Sequence, residues 1–386
     1  GCQMMRIGED KQDKLGIIPK QFYIERHIYP KWVCRECDII HQAATPKQII
    51  NKSIATPELL AHILISKYAD HQPLYRQNII YQRSGVTIPD ATMADWVGRC
   101  GVALEPLVSR LHELLLSEPI LHADETPVSI MKNHVKVGGK SLKKGYVWAY
   151  LTPQHSSLKA VVYDFAESRR NEHPKAFLDK WRGKLVCDDY SGYKFLFHQG
   201  VTEIGCLAHA RRKFHELHIT GQSIVSIEAL TLFRQLYAVE REIDERFEKN
   251  TPPIPRDPQI VRQIRQDKAK PIADKLHQWL QEKRQLTTKN ASISKAMDYC
   301  LKRWQALTQY LDDGRLPIDN NWAENQMRPW ALGRKNWLFA GSLRSGQRAA
   351  NIMSIIQSAR LNGLDVSAYL TDVLRRLPIQ EDLDEL

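Results

Sequence analysis

The hydrophobic period of this chain changes along its length, and the changes bound what it can fold into. Across residues 117–214, short β-branched and aromatic runs alternate with period two, at 119–124, 145–152, 158–165 and 184–188. A helical stretch at 174–181 precedes the fourth run. Residues 192–197 then read as a short helix, 202–206 as a fifth strand and 208–217 as a helix. Across 223–312 the period-two signal vanishes: Ile224, Ile227 and Leu230, then Ile272, Leu276 and Leu280, recur at helical spacing. A Pro-rich bend at 251–255 separates two long helices, which predicts an all-helical insertion projecting as arms. Beyond Asp319 come a helix around Glu324, an aromatic run at 337–339, a helix over 347–361 and a last helix before an acidic tail.

Strand, strand, strand, helix, strand is the element order of an RNase H-like α/β core, a mixed sheet with helices packed on it. The expected fold is that core interrupted by the insertion, so its parts are 117–220, 221–314 (the insertion) and 315–376, followed by the tail 377–386. Residues 1–50 read as a small zinc-ribbon-like module with short strands around Cys34 and Cys37. A structural zinc site usually needs four ligands, and Cys2 is the only thiol upstream. The chain opens at Gly1-Cys2 without Met, which reads as a truncated start and an incomplete zinc site. Residues 51–116 read as a helical DNA-binding domain. Thr56-Pro57-Glu58 caps a first helix, Ser84-Gly85 ends a second, and Asp90 or Thr92 caps a third. The third helix is the candidate groove reader of a helix-turn-helix, with a plain packing bundle as the equal alternative.

A formal charge of +11 over 386 residues favours a polyanionic partner, nucleic acid first. Seven cysteines at irregular spacing fit a reducing cytosol better than a disulfide scaffold. No apolar run approaches the ~18 residues of a membrane span.

Three acids carry the candidate chemistry. Asp124 closes Leu121-His-Ala-Asp124, Asp188 closes Leu185-Val-Cys-Asp188, and Glu324 opens a helical segment rich in Arg and Trp. Ile120 and His122 share one strand face and Leu121 and Ala123 the other, so Asp124 is expected where its strand leaves the sheet. Neighbouring carboxylates repel unless a cation neutralises them, and hard cations such as Mg²⁺ or Mn²⁺ take oxygen ligands. Two such ions suit phosphoryl transfer. Arg328, Arg334, Lys335, Arg344 and Arg348 interleave with Trp330, Trp337 and Phe339, a pattern that binds phosphates and stacks on bases. Arg211, Arg212 and Lys213 form a second basic cluster, and Cys206-x-x-His209 before them reads as packing and helix-start geometry.

The chain resembles transposases of the IS66 family over nearly its whole length. The resemblance rests on Arg6-Ile-Gly-Glu-Asp10, the Cys34/Cys37 knuckle, Ser66-Lys-Tyr-Ala-Asp70 with Pro73-Leu-Tyr-Arg76, and Leu121-His-Ala-Asp-Glu-Thr126. It rests equally on Asp188-x-Tyr-x-Gly-Tyr193, Cys206-Leu-Ala-His-Ala-Arg-Arg-Lys-Phe214 and residues 318–346. The family implies a DDE nuclease of RNase H-like fold with Asp124, Asp188 and Glu324 as metal-binding catalytic triad. Its frame prefers Asp188 to Asp189 and Asp124 to Glu125. It also implies cleavage of insertion-sequence ends, transfer of the freed 3′-hydroxyl into target DNA, and accessory proteins of the same element. A homo-oligomer on DNA is expected because two ends must meet, in a bacterial, cytoplasmic, nucleoid-associated setting. The alternatives are a non-catalytic zinc-ribbon and helix-turn-helix DNA-binding protein, and an RNase H-like nuclease without strand transfer.

Overall fold

The structure is a computed structural model that describes residues 12–16, 21–131, 142–221, 224–248 and 254–386. Cys2, the Arg6–Asp10 motif and 251–253 of the Pro-rich bend lie outside the described residues.

β1 (Lys31–Val33) and β2 (Ile40–Gln42) pair antiparallel, with Cys34 and Cys37 in the connecting turn. Asp38 takes a left-handed φ of 55° to close that turn. Trp32 and Ile40 are exposed, so this hairpin has no apolar core of its own.

Thr56 accepts the N–H of Leu59 at 3.4 Å and starts α1 (Pro57–Tyr68), with proline where a helix has no use for an N–H. α2 (Leu74–Gln82), α3 (Asp90–Ala103) and α4 (Glu105–Leu116) follow. α3 begins at Asp90 behind Pro89 and has no side-chain cap, unlike the expected Asp90 or Thr92 cap.

β3 (Ile120–Met131), β4 (Leu142–Leu151), β5 (Val161–Ala166), β6 (Lys184–Cys187) and β7 (Thr202–Gly205) form one sheet in the order β5-β4-β3-β6-β7. β4 runs antiparallel to both neighbours, while β3, β6 and β7 are parallel. α5 (Glu172–Leu178) precedes β6, and α6 (Lys194–His198) precedes β7. β3 runs past the expected end at Asp124 because β4 pairs with it as far as Met131, although its parallel pairing with β6 stops at His122.

α7 (Leu207–Gly221) leads into the insertion: α8 (Ile224–Glu248), α9 (Pro258–Ile264), a π-helical turn at Arg265–Ala269, α10 (Lys270–Gln285), α11 (Ser292–Lys302) and α12 (Trp304–Thr308). These helices do not project as arms. Their apolar stripes, including Phe233, Leu236, Leu276 and Met297, close over Ile120, Val186 and Ile204 of the sheet and Phe214 of α7 as a second core. Arg265, buried in the π-helical turn, ties this unit to the returning chain. It pairs with both oxygens of Glu240 at 2.8 and 2.7 Å and donates to the carbonyls of Tyr310 and Leu316, each at 2.9 Å.

α13 (Asn321–Trp337), α14 (Leu343–Leu361) and α15 (Val366–Arg376) complete the chain. The run after Trp337 docks on β3, where Ala340 exchanges backbone bonds with Ser129 and Met131. α14 covers edge strand β5: Ser354 and Ser358 accept the N–H groups of Tyr163 and Val161 at 2.8 and 3.1 Å. The sequence reading separates 51–116 as a domain, but Leu60, Met93, Trp96 and Leu104 share one core with Ile352, Ile356 and Leu370 and with the second face of the sheet.

Candidate functional site

The parallel pairing of β3 and β6 fixes where two of the acids sit. It ends at His122 and Val186, and each strand places a carboxylate two residues further on, Asp124 and Asp188. Side chains alternate along a strand, so both belong to the face of Ile120 and Val186, the one covered by the insertion. Glu324 stands in the first turn of α13, its N–H donating to the carbonyl of Asn320 at 3.1 Å. Burial holds the Asp124 carboxyl well above the ordinary carboxylate range, and the charges of Glu125, Asp188 and Glu324 push it the same way. Asp124 therefore feels both of the other candidate acids.

Their sequence neighbours are paired with arginines. Glu125, across the strand from Asp124, forms an ion pair with Arg169 and accepts the Tyr193 hydroxyl at 3.0 Å. Asp189 is paired with Arg303, and Lys194 stands 3.7 Å away. Asp124 and Asp188 instead accept only backbone N–H groups, from Glu125 and Tyr190, each at 2.9 Å. Neither has an ion-pair partner among the described residues.

One network carries Glu324 to the strands. The side-chain N–H of Asn320 donates to the Ala123 carbonyl at 2.9 Å, which leaves its Oδ1 to accept from Nδ1 of His122 at 2.8 Å. The Asn320 backbone N–H donates to Cys206 Sγ at 3.2 Å. Thus β3, the start of α7 and the start of α13 meet at one buried asparagine, 1% exposed. Asp319 beside it accepts the Tyr237 hydroxyl at 2.8 Å and the Asn321 N–H at 3.0 Å.

Cys206-x-x-His209 does more than the packing its spacing suggests. Cys206 Sγ, a ring nitrogen of His209 and a Glu324 oxygen lie within 4.8 Å of one another. Nδ1 of His209 and Oε1 of Glu324, 3.8 Å apart, are both buried without a hydrogen-bond partner. Arg212 reaches the other Glu324 oxygen at 3.4 Å. Sequence reasoning missed His122 and Asn320 altogether. For His122 the available signal was a polar side chain between Ile120 and Asp124 on one strand face, and for Asn320, in the bend before α13, there was none.

The expected basic strip divides. Arg211, Arg212, Arg328, Lys335 and Arg344 are exposed. Lys213, also exposed, lies 4.4 Å over the Tyr299 ring of the insertion. Arg334 is turned inward, donating to Thr126 Oγ1 and the Pro127 carbonyl at 3.0 and 2.6 Å. Trp330 is core at 1% exposed and offers no free face for a base, while Trp337, partly buried, packs edge-on against it at 6.0 Å. Arg348 lies across Gly98 and Gly101 of α3. The outer face of α3 carries Asp90 and Asp95, the latter paired with Arg99 at 2.8 Å. Phosphates would be repelled there, which disfavours α3 as the groove reader.

At the hairpin, the N–H groups of Glu36 and Cys37 lower the Cys34 thiol below its ordinary value.

Comparison with known proteins gives consistent matches. Residues 52–348 match the model of the transposase IS66 family, 354–386 the IS66 C-terminal element, and 1–38 the zinc-finger binding domain of transposase IS66. Two uncharacterized proteins of Sinorhizobium fredii are similar throughout. The protein y4hP is 32% identical over 398 residues, covering 98% of this chain and 69% of its own length. The protein y4jD is 34% identical over 384 residues, covering 96% of this chain and 72% of its own. No helix among the described residues is long and apolar enough to cross a membrane.

Proposed function

The chain belongs to the IS66 family of transposases, and on that premise we propose that it is a DDE-type DNA transposase with Asp124, Asp188 and Glu324 as its catalytic acids. The observation that carries the reading is the pattern of ion pairing. Of the adjacent pairs Asp124/Glu125 and Asp188/Asp189, one acid each is spoken for by an arginine and the other is not. The sheet order β5-β4-β3-β6-β7 with β4 reversed supports an RNase H-like core, in which such acids stand on the central strands.

The residues fit a divalent cation. Burial and its acidic neighbours raise the Asp124 carboxyl well above the ordinary carboxylate range, a cost that a bound cation would relieve, and Glu324 has a buried oxygen without a hydrogen-bond partner. Asp124, Asp188 and Glu324 would hold Mg²⁺ or Mn²⁺, which when bound polarises a phosphodiester and lowers the pKa of the attacking hydroxyl. The protein's own share is positioning. Asn320 fixes the start of α13 against β3, Arg169 and Arg303 engage Glu125 and Asp189 in ion pairs, and exposed Arg211 and Arg328 meet phosphates. Water then attacks the scissile phosphorus, the P–O3′ bond breaks, and the 3′-oxygen leaves as a hydroxyl. That hydroxyl attacks a target phosphorus in its turn, joining the strands and releasing a second 3′-hydroxyl. Two copies acting on two ends, and accessory proteins of the element, belong to this reading. Cys34 and Cys37 would supply two ligands to a structural Zn²⁺.

The test uses a terminal-repeat duplex. Asp124→Asn, Asp188→Asn and Glu324→Gln should each abolish Mn²⁺-dependent nicking and leave duplex affinity within about threefold. Cleavage at the parental rate in any of them refutes the triad. Pre-cleaved ends that never join a target would leave a nuclease without strand transfer.

A further inference from the structure

Between α7 and α8 runs a groove of about 700 Å³ whose charged walls carry one sign only. Arg211, Arg212, His215 and His218 line it from α7, and Arg234 and Arg241 from α8, with no aspartate or glutamate among the described lining residues. Arg211, Arg234 and Arg241 are exposed and have no ion-pair partner among the described residues. This sets them apart from Arg256, Arg265, Arg284 and Arg303 of the insertion, which are all bound to carboxylates. The α8 wall is a single helical stripe, Ile227, Leu230, Arg234, Tyr237 and Arg241, stepping by three and four residues. Fourteen residues of helix at ~1.5 Å each make the stripe about 21 Å long. One strand of duplex DNA presents a phosphate every ~3.4 Å along the axis, so about six phosphates match that length.

The groove is also aimed. Its inner end is lined by Asn321 at the start of α13 and by Arg212, which reaches Glu324 at 3.4 Å. We propose that this groove binds the phosphate backbone of DNA as it leaves the acid cluster, making the helical insertion part of the DNA-binding surface. The inference rests on the proposed transposase reading for the identity of the polyanion, and on the groove itself for its place. It assigns phosphate contacts to Arg234, Arg241, His215 and His218, which no sequence motif marks.

The experiment compares the full-length chain with the double variant Arg234→Ala/Arg241→Ala on one duplex, from about 50 to 200 mM salt. Each lost phosphate contact removes ~0.9 from the slope of log K against log salt, so the variant's slope should be shallower by about 1.8. Its affinity near 0.1 M salt should fall on the order of 10- to 60-fold. Both side chains are exposed and unpaired, so melting temperature and Mn²⁺ binding at the acids should not move, and Arg234→Lys/Arg241→Lys should keep most of the slope. An unchanged slope and affinity in the alanine variant would overturn the inference while leaving cleavage, and hence the nuclease reading, intact. A parent chain that neither binds nor nicks duplex would refute the transposase reading instead. Tighter binding of RNA than DNA that is lost in the variant would also overturn the groove as a DNA site.

Discussion

Replacing Asn320 by alanine removes two buried hydrogen bonds that no other group can remake. The Ala123 carbonyl loses its donor at 2.9 Å, and Nδ1–H of His122, in a side chain 1% exposed, loses its acceptor at 2.8 Å. A buried polar group stripped of its partner costs about 1–3 kcal/mol, so the pair costs about 2–6 kcal/mol. That is a large part of the ~5–15 kcal/mol of a typical domain. Asn320→Asp should lose as much or more, because it keeps an acceptor for His122 but buries a charge near Asp124 and Glu324. Urea unfolding at neutral pH in chelator measures the loss. Mn²⁺ calorimetry should show weakened binding in the surviving folded fraction, since the start of α13 carries Glu324. An Asn320→Ala chain within about 0.5 kcal/mol of the parent would refute the claim that this network holds the two halves of the site together.

Asp188→Asn and Asp189→Asn should separate cleanly. The first abolishes Mn²⁺ binding, and the second keeps it but loses about 1–3 kcal/mol as Arg303, 9% exposed, gives up a partner; the reverse pattern would exchange their roles. Arg265→Met should cost about 3–5 kcal/mol by stranding Glu240, and Arg265→Met/Glu240→Met should recover part of it, both read by unfolding. Burial pushes the His122 pKa down to about 4, against ~6.5 for an unfolded chain. Between those values the unfolded state binds more protons, so the stability is complete above about pH 6.5 and is lost as pH falls toward 4. The parent should lose about 3 kcal/mol more than His122→Gln across that window, and parallel stability curves would contradict the assignment.

Much of the α/β order was legible because alternation is a local property. Each of the five sheet strands overlaps a run whose residues alternate, and the Thr56 cap is written in three consecutive residues. What failed needed distant partners. The first strand is expected to leave the sheet at Asp124, and only the pairing with β4 carries it on to Met131. The insertion shows an apolar stripe on every helix, but periodicity does not say whether the stripe meets another helix or the sheet. Trp330 and Trp337 stand among cations in sequence, yet they face Tyr163 and each other. The Asn320–His122 bond spans most of the core and leaves no trace at either end of the sequence.

The serines on α14 have a bearing on how copies of this chain can associate. A sheet invites growth at an outer strand, where unpaired N–H groups template a neighbour's backbone. Here the N–H groups of Val161 and Tyr163 on the outer strand β5 are already taken by Ser358 and Ser354. Strand addition is closed at those positions of β5, so association of copies through this border is blocked by two hydroxyl groups of the same chain. Alanine at 354 and 358 would reopen one border, and its signature would be concentration-dependent aggregation.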